Sequence, residues 1–353
     1  TLNPSSAASD VYKRQGVESQ VTRMGFSVRS DKLALEYSGE SLRGLFGHLR
    51  NFTDPAHWKM FRDILRFHKI AESSNPGSAT VNEFITSHKL GDRFRDYFLL
   101  PLGSALWSCS TAKFGEFPME FVTDFLSNHQ MLQASGRPVW RVLKKGSRSY
   151  VDEIVAQLGP RLHLNSPVQK IIREKEGVRL RFPDGTSQIF DEVILACHAD
   201  QSLRLIDSPT SDEVALLEAF PYQNNLVSLH SDDSFLPRRK SARASWNAYL
   251  PKEGSEEAVV TYDMNILQSL PTDEPFCVSL NQEKMIPTDS LHGSYNFSHP
   301  TYHTGRKEAQ SRHASFIRNR GISLCGAYWG FGFHEDGLTS GLRVCESFGL
   351  QLG

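Results

Sequence analysis

The chain is short of cysteines, of net charge and of long apolar runs, and each shortage removes a class of function. Its five cysteines contain no CxxC pair, so neither a zinc cluster nor a redox dithiol is expected, and their odd number argues against a fully paired disulfide framework. A reducing compartment, the cytoplasm, fits that usage best. The 39 Lys+Arg against 40 Asp+Glu leave a formal net charge of -1, which offers no overall field for nucleic acid. No apolar run reaches the roughly 18 residues of a membrane span, and the first residues lack the apolar core of a secretory signal. The GxSxG elbow, the kinase signature and the P-loop are absent, which removes the common hydrolase and nucleoside-triphosphate readings. No metal site is expected either. His299 and His303 of HPTYH have i,i+4 spacing, but the intervening Pro300 and the missing HExxH glutamate make a loop the better reading.

What remains is an ordinary globular composition, 39% hydrophobic over 353 residues, enough for one large core or two moderate ones. The most informative stretch runs from Cys325 to Glu346, CGAYWGFGFHEDGLTSGLRVCE, and reads as strand, glycine-rich turn and helix start. Gly326, Gly330, Gly332 and Gly337 let the main chain approach an object closely or take φ > 0, while Leu338, Leu342 and Cys345 recur at helical spacing. The N-terminus of that helix is a seat for a developing anion. A glycine-rich surface turn before a core helix explains the same spacing.

A second segment spans Gly146 to Leu205. Ser147 or Ser149 caps a helix whose Val151, Ile154, Val155 and Leu158 form one apolar stripe, closed by Gly159. A strand through Leu162 and Leu164 is expected next. Val168, Ile171 and Ile172 then lead into GVRLRF, where Val178, Leu180 and Phe182 alternate with polar residues, and Pro183-Asp184-Gly185-Thr186 turns a hairpin. The run from Val193 to Cys197 reads as a strand buried on both faces.

In this order, GSRSYVDEIVAQL, SPVQKIIREKEGVRLRFPDGT, FDEVILACHADQSLRLI and GAYWGFGFHEDGLTSG resemble the FAD-domain segments of the flavin amine-oxidase-like oxidoreductases. The likeness is narrower to the bacterial predicted NAD/FAD-binding subgroup. PLGSALWS at 101–108, FPMEFVTDFLSNHQ at 117–130 and VTYDMNILQ at 260–268 agree with it. The resemblance implies FAD as cofactor. Val168 would meet the adenine by its backbone, with Ala196 beside the adenosine. Gly326 and Ala327 would face the pyrophosphate and ribityl chain, Gly332 and Phe333 complete the turn, and Gly337 and Leu338 would present N–H groups to the flavin ring. An acidic residue follows the matching glycine in many amine oxidases, whereas this chain has Ala327. A strand, GxGxxG and helix for the pyrophosphate is not found, so an N-terminally truncated unit is expected, with TLNPSSAASDVYKRQ as a leader foreign to the family.

The expected fold is α/β: a Rossmann-like FAD-binding domain with a mixed-sheet and helical substrate domain. Residues 1–15 form the leader, 16–135 the helical part of the substrate domain, 136–205 and 316–353 the FAD domain, and 206–315 the substrate-domain sheet. Asp54 and Pro55 start a helix carrying Trp58, Phe61, Leu65 and His68 on one side, and Pro118 starts another with Phe121, Val122, Phe125 and Leu126. Strands are expected in NNLVSLH, ASWNAYL, AVVTYDMN and PFCVSLN.

No catalytic side chain is fixed by these patterns. A flavin accepts a hydride unaided, so the protein positions the substrate and excludes water. Tyr328, Trp329 and His334 are candidates to wall a substrate cavity, with Trp107 and Asn265 on the substrate side. Packing explains the aromatic residues, and a strand-end turn explains Asn265, as simply. The expected reaction is hydride transfer from an amine or an apolar, lipid-like substrate to the flavin. The alternatives are a fatty-acyl or isoprenoid desaturase or isomerase, and a flavin-free remnant that binds a partner or lipid. The basic PRRKSARAS from Pro237 to Ser245 reads as a solvated loop, with peripheral contact to lipid headgroups as the alternative.

Overall fold

The computed structural model describes residues 16–46, 48–73, 75–132, 139–252 and 260–351. The leader expected over residues 1–15, and Ala258 and Val259 of the expected AVVTYDMN strand, lie outside them. The chain divides into two compact units, one built from Ser19–Gly146 and Gln223–His299, the other from Ser147–Tyr222 and Pro300–Gly353 with the chain start. They are called here the sheet unit and the turn unit.

In chain order the strands are β1 (Ser19–Val21), β2 (Phe26–Ser30), β3 (Leu35–Ser38), β4 (Arg141–Leu143), β5 (Lys170–Glu174), β6 (Gly177–Arg181), β7 (Ser187–Phe190), β8 (Val193–Leu195), β9 (Tyr222–His230), β10 (Trp246–Leu250), β11 (Val260–Asp263), β12 (Cys277–Leu280), β13 (Leu291–Pro300) and β14 (Ile322–Leu324). The sheet unit holds a seven-stranded sheet in the order β13-β9-β12-β11-β10-β2-β3, with β10 and β2 parallel. Every residue of β2 is buried. Polar side chains inside this sheet are paired across strands rather than excluded: Ser27 Oγ donates to Asn247 Oδ1 at 2.6 Å, Thr261 and Ser279 hydroxyls meet at 2.7 Å, and His230 Nε2 lies 2.8 Å from Ser279 Oγ. Such pairing offsets the cost of burying each group.

β9, β10, β11 and β12 form over the four segments expected as strands. Residues 16–135 are mostly helical, as read, and also contribute β1, β2 and β3. The helix Pro55–Ser73 starts after Asp54, whose Oδ1 accepts from Ala56 N at 2.9 Å. Its buried face is carried by Met60, Ile64 and Phe67, and Trp58 and Leu65 point outward. Met60, Ile64, Phe67 and Ala71 recur at helical spacing and set the buried side, where Asp63 is also enclosed, bonded to Arg66 at 2.9 Å and Gly91 N at 3.1 Å.

The turn unit contains the antiparallel meander β5-β6-β7 and the parallel pair β14-β8. The Asp184-Gly185 hairpin forms as read: Phe182 N donates to Thr186 O at 3.0 Å, and Gly185 has φ +85. Three expectations are corrected. A 3-10 turn, Gly159–Arg161, stands before Leu162, and no strand runs through Leu164. β8 is not buried on both faces, because Ile194 is 47% exposed. The helix Arg148–Leu158 forms, but none of its residues is buried. The unit boundaries fall at 222/223 and 299/300 rather than 205/206 and 315/316, because Leu216, Leu217, Phe220 and Ala309 share one core with Ile171, Leu195 and Leu324.

Candidate functional site

β8 and β14 run parallel in register, Leu195 opposite Leu324, so their carboxyl ends deliver Ala196 and Gly326 to the same edge of the turn unit. Cys325 N donates to Leu195 O at 3.0 Å. The crevice outside the carboxyl ends of parallel strands is where open α/β sheets bind ligands. The residues exposed there are small: Ala196 is exposed, and Gly326 and Ala327 are half-buried. A ligand would meet main chain more than side chain. Val168 is half-buried and packs against the core of the same unit.

The glycine turn is held by partners that sequence patterns did not reveal. Gly326 has φ +154, and a Cβ there would run into the Tyr328 ring. Ser340 Oγ accepts from Gly326 N at 2.8 Å and lies 3.0 Å from Gly326 O and 2.8 Å from Gly337 O, clasping the turn to the helix His334–Ser347. Gly332, at φ +94, leaves room for the Tyr302 hydroxyl, which donates to Phe331 O at 2.6 Å. The buried Arg306 guanidinium lies over the Tyr302 ring, 4.0 Å from its centroid, and donates to Tyr328 O at 3.0 Å. Gln310 Nε2 donates to Tyr328 O and Gly330 O at 2.9 and 2.7 Å. Burial is the main cause that lowers the Arg306 pKa from its ordinary value, and two carbonyl contacts, to Thr301 O and Tyr328 O, keep its charge hydrogen-bonded. Tyr302 was visible only as the fourth residue of HPTYH; Arg306, Gln310 and Ser340 carried no local signal, since a helix surface residue and a buried clamp look alike in sequence.

At the helix start, Phe333 N donates to Asp336 Oδ2 at 2.9 Å, and Gly337 N donates to Phe333 O at 3.1 Å. The N–H of Gly337, expected to face a ring, is therefore spent inside the helix, and Leu338 lies within the same helix, where its N–H belongs to the i→i−4 ladder. What Gly337 does supply is closeness, its Cβ position standing 3.7 Å from Ala327 N. Glu335 and Asp336 occupy the first turn, where acidic groups offset the positive end of the helix.

The candidate wall residues are placed differently from the expectation. Tyr328 and Trp329 are 3% and 7% exposed and belong to the core, against Phe220 at 4.9 and 5.4 Å between centroids. Burial raises the Tyr328 pKa above its ordinary value. His334 is exposed, its ring edge-on to Tyr150 at 6.5 Å. In the sheet unit Trp107 is a core residue, stacked on Phe114 at 5.5 Å and edge-on to Phe125 at 5.0 Å. Asn265 uses its amide on backbone, to Thr272 O, Glu274 O and Phe276 N at 3.1, 2.8 and 2.7 Å, so it shapes a turn. His299 Nδ1 faces Asn225 at 2.9 Å and His303 Nε2 faces Ala219 O at 3.0 Å; no group of metal ligands occurs among the described residues. Among those residues, no helix is long and apolar enough to cross a membrane.

The family model described as flavin containing amine oxidoreductase matches residues 10–280. No curated protein matches the chain. Solved structures do: a fatty acid isomerase from P. acnes that produces CLA (TM-score 0.64, 13% identity, 97% of this chain and 84% of that one), wild-type putrescine oxidase bound to putrescine (0.65, 11%, 97% and 85%), and reduced UDP-galactopyranose mutase (0.63, 12%, 98% and 83%). At these identities the likeness is one of fold, and at 97–98% coverage it extends past residue 280.

Proposed function

The chain belongs to the flavin containing amine oxidoreductase family, and from that premise we propose that it is an FAD-dependent oxidoreductase that takes a hydride from an amine or an apolar substrate. The observation that carries this reading is the delivery of Ala196 and Gly326 to one edge by the parallel pair β8 and β14, beside the start of the helix His334–Ser347. The donor set suits a flavin dinucleotide in one respect, because small residues leave the backbone approachable. FAD, when bound, supplies the hydride acceptor.

The chain's own residues supply the rest. Ala196, Gly326 and Ala327 would lie along the cofactor, with Val168 at its adenine end and Gly332, Phe333, Gly337 and Leu338 at the other. Ser340, Tyr302, Arg306 and Gln310 act as positioning residues, because they hold the glycine turn and reach no ligand themselves. A rigid turn costs no ordering when the cofactor arrives.

The test is titration of the purified chain with FAD, followed by gel filtration and absorbance at about 375 and 450 nm. Retained yellow colour that bleaches anaerobically with an alkylamine supports amine oxidation, and bleaching by an unsaturated acyl compound moves the reading to the lipid branch. A folded, colourless protein after titration overturns the proposal.

A further inference from the structure

One surface of the sheet unit shows large apolar and basic side chains together. Two short helices, Leu42–Phe46 and Leu49–Thr53, lead into the helix Pro55–Ser73; Leu42 and Leu49 are 64% and 77% exposed, Phe52 and Trp58 56% and 43%. Asn51 is buried beneath the second helix, where its Nδ2 donates to Glu36 O at 2.9 Å and Leu45 O at 3.2 Å. Leu49 and Phe52 are left outward. The aromatic members touch: Trp58 stacks on Phe46 at 4.3 Å between centroids, stands edge-on to Phe52 at 5.7 Å, and donates from Nε1 to Phe52 O at 2.7 Å.

Basic groups border these residues from two directions. Arg43 and Arg50 follow Leu42 and Leu49 in the short helices, and the loop carrying Arg238, Arg239 and Lys240 continues into a 3-10 turn, Lys240–Ala242, packed beside Leu42–Phe46. All five are exposed. Glu36 of β3 joins the two parts, since its carboxylate accepts Arg238 N and Arg239 N at 3.0 and 3.3 Å while its carbonyl takes Asn51. His48, between the short helices, is held below its ordinary pKa by burial first, then by Arg239 and Arg50. The neighbouring carboxylates are engaged: Asp31, which Arg238 also faces, with Arg29, Glu40 with Arg23, Asp54 with Arg93, and Asp233 with Arg243. No ion pair among the described residues takes any of the five cations.

A soluble polyanion would satisfy the cations and leave Leu42, Leu49 and Phe52 in water. An anionic bilayer takes both, with cations at the headgroups and apolar side chains at the acyl boundary, the level that also suits a Trp ring. We propose that this face docks the protein on the surface of an anionic lipid bilayer, with Leu42, Leu49 and Phe52 entering the interface. The face lies wholly within the sheet unit and its docking needs no flavin, so it stands whether or not the hydride-transfer reading does.

The test is co-sedimentation of the full chain with phosphatidylcholine vesicles, with and without about 30% phosphatidylserine. Serine-headgroup vesicles are expected to bind at least about tenfold better. Arg239→Gln with Lys240→Gln should weaken that binding about tenfold or more, and Leu42→Ser with Leu49→Ser about tenfold. Leu164→Ser, at an exposed leucine of the turn unit, should change nothing. No binding to serine-headgroup vesicles, equal binding to both vesicles, or full binding by the Leu42/Leu49 variant each overturns the proposal. So does an equal loss in Leu164→Ser, or retention on heparin without binding to either vesicle. Should a variant fail to fold by circular dichroism, quenching of the native chain's tryptophan emission by brominated acyl chains decides: Trp58→Phe is expected to remove it, and no quenching overturns the proposal.

Discussion

β2 of the sheet unit and β8 of the turn unit treat their apolar residues in opposite ways. β2 is buried along its whole length and lies between two neighbours, whereas β8 is paired on one side and shows Ile194 to solvent. Their helices differ in the same sense: Pro55–Ser73 buries Met60, Ile64 and Phe67, and Arg148–Leu158 buries nothing. Burial of apolar area is the main favourable contribution to folding. The sheet unit therefore carries its stability inside itself, and the turn unit has most to gain from whatever binds its edge. Two unfolding transitions in urea follow from this contrast, and each experiment below is read as a shift of one against the other.

The largest shift is expected from Trp107→Ala. Its ring is enclosed by Phe114, Phe117, Phe121 and Phe125, so truncation leaves a cavity costing about 3–5 kcal/mol. Only the sheet-unit midpoint should fall; an equal fall in both transitions would mean that the units do not unfold separately. Next comes the ion pair of Arg173 with Glu213 in the turn unit, both nearly enclosed. Glu213 also caps its own helix by accepting from Thr210 N at 2.8 Å. Glu213→Ala strands a guanidinium and should cost about 3 kcal/mol, seen in the turn-unit midpoint. A change under about 1 kcal/mol would place the pair among solvated ones. Ser340→Ala is smaller, about 1–2 kcal/mol for one stranded N–H at Gly326, but it should also weaken FAD retention, which a merely structural hydroxyl would leave alone.

How much of this was legible beforehand depends on the range of the signal. The Asp184-Gly185 hairpin, the helix after Asp54 and the strands β9, β10, β11 and β12 rest on local turn chemistry and alternation, and they formed where expected. The glycine turn was legible because positive φ at Gly326 and Gly332 leaves a mark in the sequence itself. The clamp of Tyr302, Arg306, Gln310 and Ser340 was not, since the bonds that carry Tyr302, Arg306 and Ser340 to Phe331, Tyr328 and Gly326 join residues 14 to 29 positions apart with no fixed spacing. Tyr328 and Trp329 misled for a related reason: periodicity says that an aromatic is buried or not, but never against what. The exposed stripe of Val151 and Val155 shows the same limit from the other side.

Acid should separate the units further. His57 and His230 in the sheet unit and His313 in the turn unit are all held below their ordinary 6.5, in each case chiefly by burial. From about pH 7 downward the unfolded chain takes up these protons before the folded one does, so stability falls until the folded-state values are passed. His48, also held low chiefly by burial, makes three such groups in the sheet unit against one, which predicts a larger loss of midpoint there between about pH 7.5 and 5.5. Asp263, raised by burial, works with the opposite sign, but in the carboxylate range below that window. His230→Gln should flatten the sheet-unit slope; an unchanged slope would assign the acid loss to other groups.

The smallest effect tests the contrast most directly. Val151 is 41% exposed on a helix with no buried residue, so Val151→Lys removes no packing and, with better helix propensity, should change the turn-unit midpoint by no more than about 0.5 kcal/mol in either direction. The same substitution at Val122, which is buried on the helix Met119–Asn128 of the sheet unit, would place a charge in a core and should unfold that unit. A loss above about 1 kcal/mol at Val151 would mean that the stripe is covered in solution. The turn unit would then owe part of its stability to that cover, and the asymmetry between the two units would be smaller than their burial implies.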